Sequence, residues 1–327
     1  MPLGSAKVGL FGAAGAATAG STGVFSGGRT GASTNTNVMQ YINISTTGDA
    51  TDFGDKTVSF NECGNTSNGT NDRGVSGGGY DNVAPSTVVI DYITISTTGD
   101  ATDFGDLTQT RGGVAAVSNG PNERGVWMGG YIASGTSYDI LDYVTINSTG
   151  NATDFGDHTN QRWQHAAMSN GTDERGVTAG GLAGTYGGSD TNIIEYITIN
   201  STGNATDFGD LLVANAYVSG LSNDTNDRGV ISGGHTTARV NVIQYITITS
   251  TGNSTDFGDL AHKFTAHTGL SNGTAERGVW GGGNAAEVKY NVINYITINS
   301  TGDTTDFGDL LVAKQSMGGT GISDAAA

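Results

Sequence analysis

The pentapeptide Thr-Asp-Phe-Gly-Asp occurs six times, starting at Thr51, Thr102, Thr153, Thr206, Thr255 and Thr305. Two further markers run in phase with it at intervals of about 50 residues. One is an apolar run around a tyrosine: QYINIS at Gln40, DYITIS at Asp91, DYVTIN at Asp142, EYITIN at Glu195, QYITIT at Gln244 and NYITIN at Asn294. The other is an Arg-Gly-Val segment that ends in paired glycines. It begins at Arg73, Arg124, Arg175, Arg228 and Arg277, with a shortened GVFSGG at Gly23. Six copies in register require one supersecondary unit, repeated.

Each unit reads as four short strands. The first is Gln164–Gly171 and its equivalents, and the second is the RGVWGGG type. The third is Asn291–Ser300, where Val292, Asn294, Ile296 and Ile293, Tyr295, Thr297 alternate between two faces. The fourth is built on TDFGDL. SNGT and STGNAT supply the turn residues between them. Four strands per unit match one blade of a β-propeller. The chain enters at a second strand, Gly23–Gly28, and provides five first strands between units. The sixth is expected within Gln315–Ser323, with Ile322-Ser323-Asp324 in the place of Val117-Ser118-Asn119. That strand would complete the N-terminal blade and remove an open edge. A solenoid would instead need atypical capping repeats at its ends.

The expected fold is therefore all-β: a six-bladed β-propeller of four-stranded blades over residues 23–323. A Gly/Ala-rich leader (1–22) precedes it and a short tail (324–327) follows. With 54 glycines and only 3 prolines, a collagen-like chain is excluded. The formal net charge of −17, from 14 Lys+Arg against 31 Asp+Glu, disfavours nucleic acid and anionic membranes as partners. No apolar run is long enough for a membrane-spanning helix, so no membrane insertion is expected. The single cysteine, Cys63, excludes an intrachain disulfide.

The glycine doublets at 78–79, 129–130, 180–181, 233–234 and 282–283, the tyrosines Tyr92, Tyr143, Tyr196, Tyr245 and Tyr295, and the fourth-strand aromatic together resemble the kelch family of propellers. The likeness covers Gly23 to Ser323. Phenylalanine (Phe53, Phe104, Phe155, Phe208, Phe257, Phe307) stands where kelch usually has tryptophan. The regulator-of-chromosome-condensation propeller is the second likeness. More specifically, YITISTTGDATDFGDL with SNGT and ERGVWGGG resembles a repeat in structural proteins of tailed bacteriophages, marine ones especially. That resemblance implies a non-catalytic virion component: a tail fibre, receptor-binding or decoration protein. Its partners would be other virion proteins or a host-surface glycan or receptor, and it could act as an oligomer. A secreted bacterial carbohydrate-binding or adhesion propeller is the alternative.

Asp-Phe-Gly also marks kinase active sites, but there it is unique and accompanied by a phosphate-covering loop, both missing here. The paired aspartates, Asp52 with Asp55, Asp103 with Asp106 and their equivalents, could hold a hard cation such as calcium. The competing expectation is structural. The first Asp would end a turn, and the second would pair with the Arg73 series. The repeated Phe and Tyr are expected between blades. His158, His165, His235, His262 and His267 show no metal-binding spacing, and Cys63 lacks a base, so no catalytic residue is assigned.

Antiparallel strands put the two-to-three and four-to-one connections on one face of the ring. These are the connections that differ from unit to unit. Variable loops on a rigid scaffold are where recognition usually sits. Tyr80, Tyr131, Tyr138, Trp163 and Tyr186 are the expected stacking residues of such a binding face.

Overall fold

The computed structural model describes residues 21–31, 34–80, 86–132, 135–185, 187–285 and 288–321. Among them are six four-stranded antiparallel sheets of one design, in a propeller-like arrangement. In one sheet the order from inner to outer edge is Thr268–Ser271, Arg277–Gly281, Val292–Thr297 and Thr305–Asp309. The inner strands of successive sheets touch each other. The SNGT-type turns form single 3-10 turns, as at Gly273–Ala275.

One sheet is assembled from both ends of the described chain. Gly318–Gly321 pairs with Thr22–Ser26, which pairs with Val38–Asn43 and then Thr51–Asp55. Gly318–Gly321 also touches the inner strands Thr268–Ser271 and Gly64–Ser67 on its two sides. The expected register of this strand needs correction. Gly321 faces Gly23 as Ser118 faces Gly125, so the strand starts two residues earlier than Ile322-Ser323-Asp324 implied. Those three residues lie outside the described part, as does most of the leader. The segment hides its role because Thr320 stands where four of the other copies carry Val117, Met168, Leu221 or Leu270, and only Thr66 matches it. Thr320 is buried and donates its hydroxyl to the Thr66 carbonyl (3.1 Å).

The third strand is covered on both sides, so strict polar–apolar alternation does not apply to it. Ile293, Asn294 and Ile296 are all buried. Opposite each third strand, the outer strand carries a β-bulge at its phenylalanine. The bulge points Phe53 into a cluster with Ile93 and Ile95 of the next sheet, while its ring meets Tyr41 edge-on at 6.0 Å. Burying one such ring contributes about 2–3 kcal/mol. The expectation that these aromatics lie between sheets matches this packing.

The glycine that follows has a different task. Gly54 has φ +144°, and a Cβ on it would come within 2.5 Å of the Gly99 carbonyl carbon in the next sheet. This close approach lets Gly99 N–H donate to Phe53 O (2.7 Å) and Ala101 N–H to Asp55 O (2.8 Å). Asp55 N–H in turn donates to Asp100 Oδ1 (3.0 Å). In the last copy the partners are Gly48, Asp49 and Ala50, near the start of the chain. The pentapeptide is thus a hydrogen-bonded clasp between neighbouring sheets.

The repeated arginines depart from expectation. Among the described residues none is ion-paired with a pentapeptide aspartate. The Arg73 guanidinium lies 4.4 Å from the centre of the Tyr92 ring and donates to the Ile146 carbonyl of the next sheet (3.0 Å). Arg124, Arg175, Arg228 and Arg277 repeat both contacts. The geometry explains the change. The second-strand Arg pairs with Thr94, two residues along the third strand from Tyr92 and on the same face, whereas the aspartates lie on the outer strand.

Candidate functional site

Both sets of variable connections meet at one end of the inner strands. Six residues there have positive φ: Glu62 (59°), Gly113 (64°), Gln164 (55°), Tyr217 (57°), Ala266 (55°) and Ser316 (54°). Each sits just before an inner strand. Gly113 N–H donates to Glu62 O, Gln164 to Gly113, Tyr217 to Gln164, Ala266 to Tyr217, Ser316 to Ala266 and Glu62 to Ser316, at 2.7–3.2 Å. The six peptide groups are therefore joined head to tail. Five of the six bear side chains in a conformation that costs about 1–2 kcal/mol per residue. Such strain persists only where the surroundings over-determine it.

Outside this girdle, the residue after each glycine doublet pairs with the residue before the positive-φ position. Arg29 bridges Gln315, His235 bridges Ala216, and Asn284 bridges Thr265. The result is a cavity of about 500 Å³ whose wall includes Arg29, Arg239, Lys289, His235, Tyr217 and Glu62. Arg239 Nη2 donates to Asn284 Oδ1 (2.7 Å), and Asn284 Nδ2 donates to Gln315 Oε1 (2.9 Å). Glu62 accepts the Tyr131 hydroxyl proton at 2.8 Å. Desolvation pushes its carboxyl pKa up, opposed by that hydrogen bond and by the charge of Arg29.

The expected stacking residues fall into two groups. Tyr131 and Trp163 are only 7% and 5% exposed. Their ring centres lie 4.4 Å apart, and they pack with Leu182 and Ala216 in a small cluster beneath the loops. Tyr80 and Tyr138 are half-buried and stand closer to solvent. Tyr186 lies outside the described residues. The sequence reading placed Tyr217 in a variable four-to-one segment but passed over Glu62, Arg29, Arg239 and Lys289 as individual residues. Their available signal was position: each directly precedes an inner strand or lies in a connection that follows a glycine doublet.

The aspartates Asp52, Asp55 and Asp103 are exposed and Asp106 is half-buried. Among the described residues, no three His, Cys, Asp or Glu side chains are grouped to hold a metal ion. Two of the histidines do come together. The His158 and His165 rings meet edge-on at 5.3 Å, and His158 Nδ1 lies 2.8 Å from Glu195 Oε2. Arg162 is 3.1 Å from the same oxygen, and Thr159 also binds this carboxylate. Although burial opposes it, the His158 hydrogen bond and the Arg162 charge hold Glu195 down at about 2. Burial drives His165 well below its ordinary range. This cluster is enclosed within its sheet and takes the place of the buried pairs Arg111–Asp142 and Lys56–Asp91. It ties the fourth-to-first connection to the third strand and offers no access to a substrate.

A search against protein-family models finds none that matches the chain, and no curated protein matches it.

Proposed function

We propose that the six sheets are the blades of a closed six-bladed β-propeller. The protein is a non-catalytic structural protein of a tailed-bacteriophage virion, a tail-fibre, receptor-binding or decoration component. Its variable-loop face binds a protein or a glycan. The closed form is supported by the head-to-tail girdle from Glu62 to Ser316 and by Gly318–Gly321, which touches inner strands on both sides. The virion assignment is supported by the resemblance of the repeat to those of phage structural proteins.

One observation carries the binding reading. The residues that repeat build the scaffold, while those that differ converge on a concave, polar mouth. Conserved geometry with varied chemistry is the arrangement of a recognition platform. The experiment is mass spectrometry of purified phage particles from a lysate that encodes the chain, paired with analysis of the cell-free medium of uninfected cultures. Stoichiometric detection in particles is the expected result. Presence in the medium without infection would replace this reading with a secreted adhesion propeller.

A further inference from the structure

We propose that the mouth cavity binds an anionic sugar: a carbohydrate unit bearing a carboxylate or sulfate group. This rests on the glycan-binding reading above and narrows it to one chemical class.

The charge is the first support. The chain carries a net charge of −17 with only 14 Lys+Arg. Three of these cations, Arg29, Arg239 and Lys289, come from separate connections to line one cavity. Among the described residues the only acid in that lining is Glu62, which already accepts a hydrogen bond from the Tyr131 hydroxyl. Three cations against one engaged carboxylate leave a local positive field within an acidic molecule.

The hydrogen bonds are the second. Arg239 spends Nη2 on Asn284, while its Nε is buried without a hydrogen-bond partner among the described residues. Held by Asn284 at the cavity wall, the guanidinium is placed to give a ligand oxyanion a charge-assisted hydrogen bond. Asn284 and Gln315 form an amide relay beside it, suited to the hydroxyls of a sugar ring. Tyr217 supplies a half-buried aromatic wall. The volume of about 500 Å³ lies in the range of small-ligand sites.

The same charge map argues against a long polyanion. Beyond about 8 Å the mouth cations are screened, and a polymer would meet the acidic remainder of the surface. A single charged sugar keeps its anion inside the cavity.

The test uses the full chain at low salt, with glucuronate, glucose 6-sulfate, glucose and inorganic sulfate, followed by amide chemical-shift titration. Glucuronate or glucose 6-sulfate should shift the side-chain amides of Asn284 and Gln315, and glucose should not. Which of the two binds more tightly identifies the anionic group. Arg239→Gln and Lys289→Gln should each weaken binding about tenfold, the scale of one charge-assisted contact. A melting temperature within a degree or two of the parent's shows that each variant folds. Equal binding of glucose, or unchanged affinity in the Arg239→Gln Lys289→Gln double variant, overturns the anionic class while leaving a glycan-binding face intact. Inorganic sulfate binding as tightly as the sugars overturns the sugar part. If none of the four shifts the mouth amides, the inference fails. Binding of neutral oligosaccharides elsewhere on the face would then still uphold the broader reading.

Discussion

Replacing Gly156 by alanine isolates what the pentapeptide contributes. Gly156 has φ +149°, and an added Cβ would approach the Gly203 carbonyl carbon to 2.5 Å and Asn204 N to 3.0 Å. Both neighbours are backbone of the next sheet, so neither can step aside alone. The clasp at risk has three hydrogen bonds. Gly203 N–H donates to Phe155 O and Ala205 N–H to Asp157 O, both at 2.8 Å, and Asp157 N–H donates to Asn204 Oδ1 at 3.1 Å. At about 1 kcal/mol net each, their loss removes roughly 3 kcal/mol. The strained backbone adds about 1–3 kcal/mol. Gly203→Ala is the control: φ is +158° and nothing lies within 4 Å of the added methyl, so only the backbone cost applies. Denaturant unfolding should therefore rank Gly156→Ala about 3 kcal/mol below Gly203→Ala, given the three bonds at stake. Hydrogen exchange should show the Gly203 and Ala205 amides losing protection in the first variant only. Equal losses in both variants would refute the clasp.

Three further outcomes are expected. Asp142→Leu strands the fully buried Arg111, now 2.8 Å from its carboxylate, and should cost about 3–5 kcal/mol in denaturant unfolding. The double variant Arg111→Leu Asp142→Leu should recover most of that loss, as the uncharged Asn215 and Gln244 already occupy the equivalent places in another sheet. Ala266→Gly relieves a left-handed conformation (φ 55°) and should raise stability by about 1 kcal/mol in the same assay. Burial holds the His267 imidazole at about 3, below its ordinary 6.5, so the unfolded chain takes up a proton that the fold refuses. Its contribution is intact above pH 6.5 and falls away as pH drops from 6.5 towards 3. His267→Gln should flatten that part of the profile, read from unfolding midpoints between pH 7 and 4.

Strand content and sheet design were legible because the markers repeat in phase and turn residues separate them. Gly54 recurs in every copy, but its task was not legible, because the atom it must avoid belongs to the next unit. The Arg73 series invited pairing with acids that recur equally often. The actual partner, Tyr92, recurs just as regularly, and only strand register tells the two apart. The girdle was concealed further. Of its members only Gly113 is a glycine, and Glu62, Gln164, Tyr217, Ala266 and Ser316 give no local hint of positive φ. The mouth cations stand in different units and acquire meaning only when the sheets bring their connections together. Trp163 and Tyr131 read as exposed loop aromatics because a loop's own small core leaves no periodic trace.

The pairing of Gly318–Gly321 with Thr22–Ser26 also sets a clock on biosynthesis. Ser26 and Gly318 are 292 residues apart. At translation rates of roughly 5–20 residues per second, Thr22–Ser26 waits on the order of 15–60 s for its neighbour. Throughout that interval a strand whose Val24 and Phe25 end fully buried has one edge unpaired. Chain order alone fixes the delay. A circular permutant opened before Gly64 would bring the two strands off the ribosome in immediate succession, and its nascent form would be exposed for seconds instead of most of a minute.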